Sequence, residues 1–150
     1  MFQLKPEDRL RSWREFRNFI ETLPLEHALA QTAEFWAGAP FVPYSLDIHS
    51  PETWPDPWTL IYENVFCDVA KCLGIVYTVA LTDHRSNTDI EFRIYQDPRT
   101  GYDYNLACFD QGKYILNMID GEVVNIKQVN KTLKFKQQYT EKDLQLEFYY

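Results

Sequence analysis

Glycine is scarce in this chain: five of 150 residues. Phosphate-cradling loops and oxyanion-shaping turns draw on glycine where backbone must approach a ligand closely. Neither GxGxxG nor GxxxxGK[ST] occurs, so dinucleotide and P-loop nucleotide binding lack support, and GxSxG is absent too. Cysteines are few and odd in number (Cys67, Cys72 and Cys108), which argues against a disulfide framework and for buried free thiols in a reducing compartment. The three histidines, His27, His49 and His84, stand far apart, with no HxH or HExxH, and no metal or cofactor is expected. No apolar stretch reaches membrane-spanning length, and the charged N-terminus lacks an apolar signal segment. These features predict a cytoplasmic protein of the producing cell, with no membrane association.

Positive charge is missing from one segment. Residues 31–70 carry six acidic and no basic side chains (Glu34, Asp47, Glu52, Asp56, Glu63, Asp68), and almost all of the net charge of -7 lies there. That balance argues against general nucleic-acid binding, which needs cations to neutralise phosphates. An acidic inhibitor of a basic host factor remains open if those carboxylates share one surface.

Aromatic residues are abundant, at 16% of the chain, and the patterning predicts one α+β domain over 1–150. Leu10, Trp13, Phe16, Ile20 and Leu23 recur at helical spacing, which predicts a helix over 7–23; Leu25, Leu29, Ala33 and Trp36 predict a second over 25–37. Five of the eight prolines fall in 38–57 among aromatics, the mark of an ordered proline-rich loop. Asp56 as N-cap with Pro57 at the first helical position starts a helix predicted to run over 58–73, closed by Gly74. Residues 75–139 read as an antiparallel meander of about five strands: Ile75 to Leu81, Ile90 to Tyr95, Tyr104 to Phe109, Lys113 to Met118 and Glu122 to Ile126. Residues 127–139 are ambiguous, though Leu133 and Phe135 alternate with lysines as in an edge strand guarded by charge, and Thr140 to Asp143 opens a short C-terminal helix.

One constellation can carry chemistry: Cys67 as nucleophile, His84 as base, and Asp97 or Asp110 to orient the imidazole. A helix ending in Cys72-Leu73-Gly74-Ile75 and feeding an antiparallel sheet resembles the core of the transglutaminase-like and papain-like cysteine enzymes over roughly residues 56–118. The resemblance implies acyl transfer or hydrolysis through a cysteine at a helix N-terminus and a histidine at the start of the second strand. The continuous helix over 58–73 puts Cys67 mid-helix instead, and places the second strand's start near Asn87-Thr88.

The segments Trp54 to Ile61, Cys67 to Lys71, Gly112 to Asn117 and Glu122 to Asn125 also resemble small uncharacterised proteins of tailed bacteriophages, the large myoviruses among them. That resemblance implies a non-enzymatic virion or protein-interaction component, such as a neck, head-completion or baseplate protein. Its partners would be other proteins, met through an aromatic surface at Tyr44, Trp54, Asp56 and Trp58.

Overall fold

A computed structural model describes all residues, 1–150. The chain folds into helices α1 (Pro6–Glu21), α2 (Leu25–Ala37), α3 (Pro57–Glu63) and α4 (Asp68–Ala80), strands β1 (Ile90–Gln96), β2 (Asp103–Phe109), β3 (Tyr114–Leu116) and β4 (Val123–Val124), then helix α5 (Ile126–Thr132) and strand β5 (Lys134–Tyr139). Short 3-10 turns occupy Pro51–Thr53, Asp83–Ser86 and Leu146–Tyr149. The class is α+β, five helices with one five-stranded antiparallel sheet.

The predicted helix over 58–73 is two helices. Asn64 adopts the left-handed conformation (φ 58°, ψ 39°) that ends α3. Arg9 of α1 fixes the break: its guanidinium donates to the carbonyls of Ile61 at 3.0 Å and Tyr62 at 2.6 Å, and also to that of Leu4. Asn64 Nδ2 donates to the Phe2 carbonyl at 3.0 Å. Phe66 then bridges to Phe41 in parallel, with Val42 N–H donating to its carbonyl at 2.9 Å. This extended link resets the chain, and α4 begins at Asp68 with Cys67 as its N-cap.

The predicted strand Ile75 to Leu81 is also corrected. Those residues continue α4, which is buried on every side from Cys72 to Ala80. With sheet on one flank and α2 on the other, no solvent face remains to impose a helical polar stripe. The β-branched run therefore carries no periodicity from which to tell helix from strand. Gly74 does not cap a helix. It sits mid-helix under Trp36, where an added Cβ would stand 2.3 Å from the indole ring. Above it, Thr78 Oγ1 accepts from Trp13 Nε1 at 3.0 Å and Trp36 Nε1 at 2.9 Å, and donates to the Gly74 carbonyl at 2.7 Å. One hydroxyl thus ties α1 and α2 to α4.

The sheet order is β4-β3-β2-β1-β5. The first four strands form the expected meander. Residues 127–139, left open by their sequence, resolve into most of α5 followed by β5, which returns to pair with β1 at the far edge. Lys134 and Lys136 stand exposed on that edge, which discourages further pairing. The face towards α4 carries the main core. The other face carries a smaller cluster of Tyr95, Leu106, Cys108, Ile115, Val124, Val129 and Leu133, with Ile126 of α5 packed against it. Thr140 and Asp143 exchange the predicted capping bonds, at 2.9 and 3.3 Å, but the chain continues as turns and a 3-10 segment rather than an α-helix. No helix is long and apolar enough to cross a membrane.

Candidate active site

Starting α4 at Asp68 moves Cys67 from mid-helix to a helix N-terminus. There the unpaired N–H groups and the aligned peptide dipoles favour negative charge on the sulfur. Burial pushes the Cys67 thiol up. The Ser45 hydroxyl and the N–H groups of Ala70, Leu46 and Ser45 face the sulfur and outweigh burial, holding the thiol below its ordinary value. Cys72 and Cys108 contrast with it. Burial pushes Cys72 well up, with Asp68 adding to it, and pushes Cys108 up to about 12.

Cys67 is only 4% exposed, yet it lies in the wall of a cleft of about 870 Å³. The cleft runs between the loop at 41–48, the first turn of α4, and the β1–β2 turn with the start of β2. Asp68 secures its floor. Asn105 Nδ2 donates to Asp68 Oδ2 at 2.7 Å, and Asn117 Nδ2 donates to Asp68 Oδ1 at 3.3 Å and to the Asn105 carbonyl at 2.8 Å. The helix start is thereby fastened to β2 and to the end of β3.

The expected partners of Cys67 are not brought to it. His84 lies in the turn beyond the opposite end of α4, about 20 Å away along a 13-residue helix, with its Nε2 2.9 Å from the Ile20 carbonyl. Asp97 sits in the β1–β2 turn, where the Arg99 guanidinium and N–H hold its carboxyl below the usual range. Asp110 occupies the β2–β3 turn at the far end of β2. No imidazole lines the cleft. The resemblance places the family's histidine at the start of the second strand. Counted on the observed strands, that strand is β2, and its buried residue beside Asp68 is Asn105. The misassigned strand at 75–81 shifted this count to Asn87-Thr88.

The aromatic surface divides. Trp54 packs on Phe92 and Tyr139, with ring centroids at 5.0 and 5.5 Å, and its Nε1 donates to the Asp47 carbonyl at 2.7 Å. Asp56 caps α3 by accepting from Thr59 N–H at 2.8 Å, as its sequence position predicts. Trp58 is half-exposed against Tyr149, and a crevice of about 120 Å³ beside Trp54 and Tyr149 is lined by no cysteine, serine, threonine, lysine or histidine. Tyr44 stands on the rim of the Cys67 cleft, almost wholly exposed at φ 56°. Of the six acidic residues in 31–70, Asp56 and Asp68 serve these internal bonds, while Glu34, Asp47, Glu52 and Glu63 face solvent. No three His, Cys, Asp or Glu side chains gather closely enough to hold a metal ion.

This architecture has close counterparts. LapG of Legionella pneumophila superposes with a TM-score of 0.74 at 11% identity, covering 91% of this chain and 75% of LapG. Its EGTA-treated form scores 0.74 at 11% identity over 91% and 74% of the two chains, and its calcium-bound form 0.75 at 11% over 91% and 77%. These structures share the fold of this chain. The likeness extends over nearly the whole chain, beyond the segment 56–118 that the sequence suggests, and none of the three structures is of bacteriophage origin. No protein-family model and no curated protein matches the sequence.

Proposed function

We propose that this chain is a cysteine-dependent acyl-transfer or hydrolytic enzyme in which Cys67 is the nucleophile. The observation that carries the reading is the position of Cys67: N-cap of α4, facing N–H and hydroxyl donors, in the wall of a large cleft. The neighbours' fold is that of the cysteine enzymes the sequence resembles, which supports it. In the reaction, the Cys67 thiolate adds to an acyl carbonyl carbon. The bond from that carbon to the leaving group breaks, the leaving group departs with the electron pair, and a thioester remains on Cys67. Water or another nucleophile then attacks the thioester, releases the acyl group and restores the thiolate.

With no imidazole in the cleft, the site lacks the commonest proton donor to a poor leaving group. Thioesters and activated esters, whose leaving groups are stable as anions, suit this site better than amides. The test is turnover of p-nitrophenyl acetate by the intact protein and by Cys67→Ser. We expect release of p-nitrophenolate that the substitution abolishes. Equal release by the two proteins contradicts the reading.

One observation favours a second reading, a non-catalytic protein-interaction role on the same scaffold, which would include a virion component. Asn105, the first buried residue of β2, lines the cleft, and an amide cannot transfer the proton that the histidine implied by the resemblance would. On this reading the chain forms no acyl-enzyme, and Cys67→Ser leaves partner binding unchanged.

A further inference from the structure

The loop at 41–48 is pinned at both ends and presents its middle to Cys67. On one side, Val42 N–H donates to the Phe66 carbonyl at 2.9 Å. On the other, the Asp47 carboxylate accepts from His49 N–H at 3.0 Å and the Ser50 hydroxyl at 2.8 Å, and the Asp47 carbonyl accepts from Trp54 Nε1 at 2.7 Å. Between these anchors Tyr44 adopts a left-handed conformation, φ 56°. A tight turn usually draws on glycine for such a conformation, and this glycine-poor chain reaches it with tyrosine. The turn sets the direction of the next peptide, which carries the Ser45 N–H.

Three donors meet the Cys67 sulfur from this turn: the Ser45 N–H, the Leu46 N–H and the Ser45 hydroxyl. The two N–H groups donate to no backbone carbonyl. The donors around the sulfur divide by side. Ala70 N–H reaches it from within α4, and Ala70 does not line the cleft; Ser45 and Leu46 line it together with Cys67. An acyl group approaching Cys67 comes through the cleft, so its carbonyl oxygen arrives on the loop side. As the thiolate adds, a sulfur pair forms the S–C bond and the carbonyl π pair moves onto oxygen. Negative charge thus leaves the sulfur for an atom two bonds away. Donors aimed at the sulfur before this step are within reach of the oxyanion after it.

We infer that the Ser45–Leu46 turn is the oxyanion-stabilising element of this site, with the Ser45 hydroxyl a catalytic residue that donates to the tetrahedral oxyanion. The inference deepens the proposed function and rests on it. Donors fixed in advance cost no reorganisation when the charge develops. The pair on oxygen then returns to carbon as the bond to the leaving group breaks. The turn thereby assists addition and leaves departure to the leaving group itself. That division accords with a site suited to thioesters and activated esters.

The test compares two reactions of Cys67 in the intact protein. p-Nitrophenyl acetate reacts through a tetrahedral oxyanion; iodoacetamide reacts by displacement at a saturated carbon and forms none. Both rates are read on the plateau of each protein's pH profile, where Cys67 is fully ionised, so a change in thiol acidity drops out. We expect Ser45→Ala to slow acetylation about tenfold to hundredfold and alkylation less than about twofold. Ser45→Thr, which restores a hydroxyl, should recover most of the acetylation rate. Alkylation at Cys67 in each variant also reports that the site is folded. An equal loss in both reactions, or a loss in neither, overturns the inference. Wild-type protein alkylated but not acetylated at Cys67 removes the enzyme reading and this inference with it. Wild-type protein acetylated at Cys67 no faster than Ser45→Ala removes this inference alone.

Discussion

Three thiols in one small chain separate by their surroundings. Cys67 has donors on two sides, the loop at Ser45–Leu46 and the α4 N-terminus, and they outweigh the cost of burying a thiolate. Cys72 and Cys108 lie wholly inside, with nothing to stabilise charge. Iodoacetamide labelling of the native protein from pH 6 to 9, followed by peptide mass analysis, should therefore modify Cys67 alone. Its rate should level off at a lower pH than that of a free cysteine. Labelling of Cys72 or Cys108 at comparable rates in the folded protein would contradict the assignment. A second residue-scale expectation concerns Thr78. Thr78→Val keeps the shape but strips the acceptor from two buried indole N–H groups, and should destabilise by about 2–4 kcal/mol in a urea titration. A loss under about 0.5 kcal/mol, the range of an ordinary surface substitution, would mean that the indoles do not depend on it.

At the scale of elements, the decisive feature is the break between α3 and α4, because it creates the helix end on which Cys67 sits. Arg9→Met should strip the carbonyls of Ile61 and Tyr62 of their donor while keeping much of the side-chain volume. We expect a loss of about 1–3 kcal/mol and slower Cys67 labelling at pH 7; unchanged labelling would show that the break holds without Arg9. Close packing makes its own demand in the middle of α4. Gly74→Ala gains about 1 kcal/mol of helix propensity but drives a methyl into Trp36, and should still be net destabilising by thermal melt. The same elements show which features are legible in a sequence. Helices α1 and α2 are amphipathic, the Asp56-Pro57 start is local chemistry, and Ile90, Phe92 and Ile94 alternate across a half-buried strand, so each writes its own pattern. Helix α4 writes none, since it is apolar all round. The stop at Asn64 depends on Arg9, Phe2 and Phe41, which are distant in sequence. Cys67 can be named from the sequence as a candidate nucleophile, but its helix-end position and the place of Asn105 both follow from that unreadable break.

For the whole molecule, a cleft lies at one end of a densely buried core, and the core titrates against folding at high pH. Cys108, pushed up to about 12, and Cys72, Tyr77 and Tyr139, also raised, keep their protons in the folded state after the unfolded chain has lost them. The unfolded state then binds fewer protons, so stability is complete below the ordinary thiol range and falls as pH rises through it towards 12. Cys67 acts in the opposite sense. Its folded-state value is lowered, so its contribution is present above the ordinary thiol value and is lost as pH falls through the lowered one. Thermal melts under reducing conditions should show a falling midpoint above about pH 9, with a shallower fall in Cys108→Ala; a flat profile would contradict the burial of these groups.

The central claim is that the α4 N-terminus makes Cys67 an acyl acceptor. Its most direct test is the intact mass of the protein after brief exposure to p-nitrophenyl acetate at neutral pH, followed by peptide mapping. The account predicts a single acetyl adduct, located on Cys67 and absent in Cys67→Ser. An unmodified protein, or acetyl groups scattered over lysines and equally present in the variant, would contradict it.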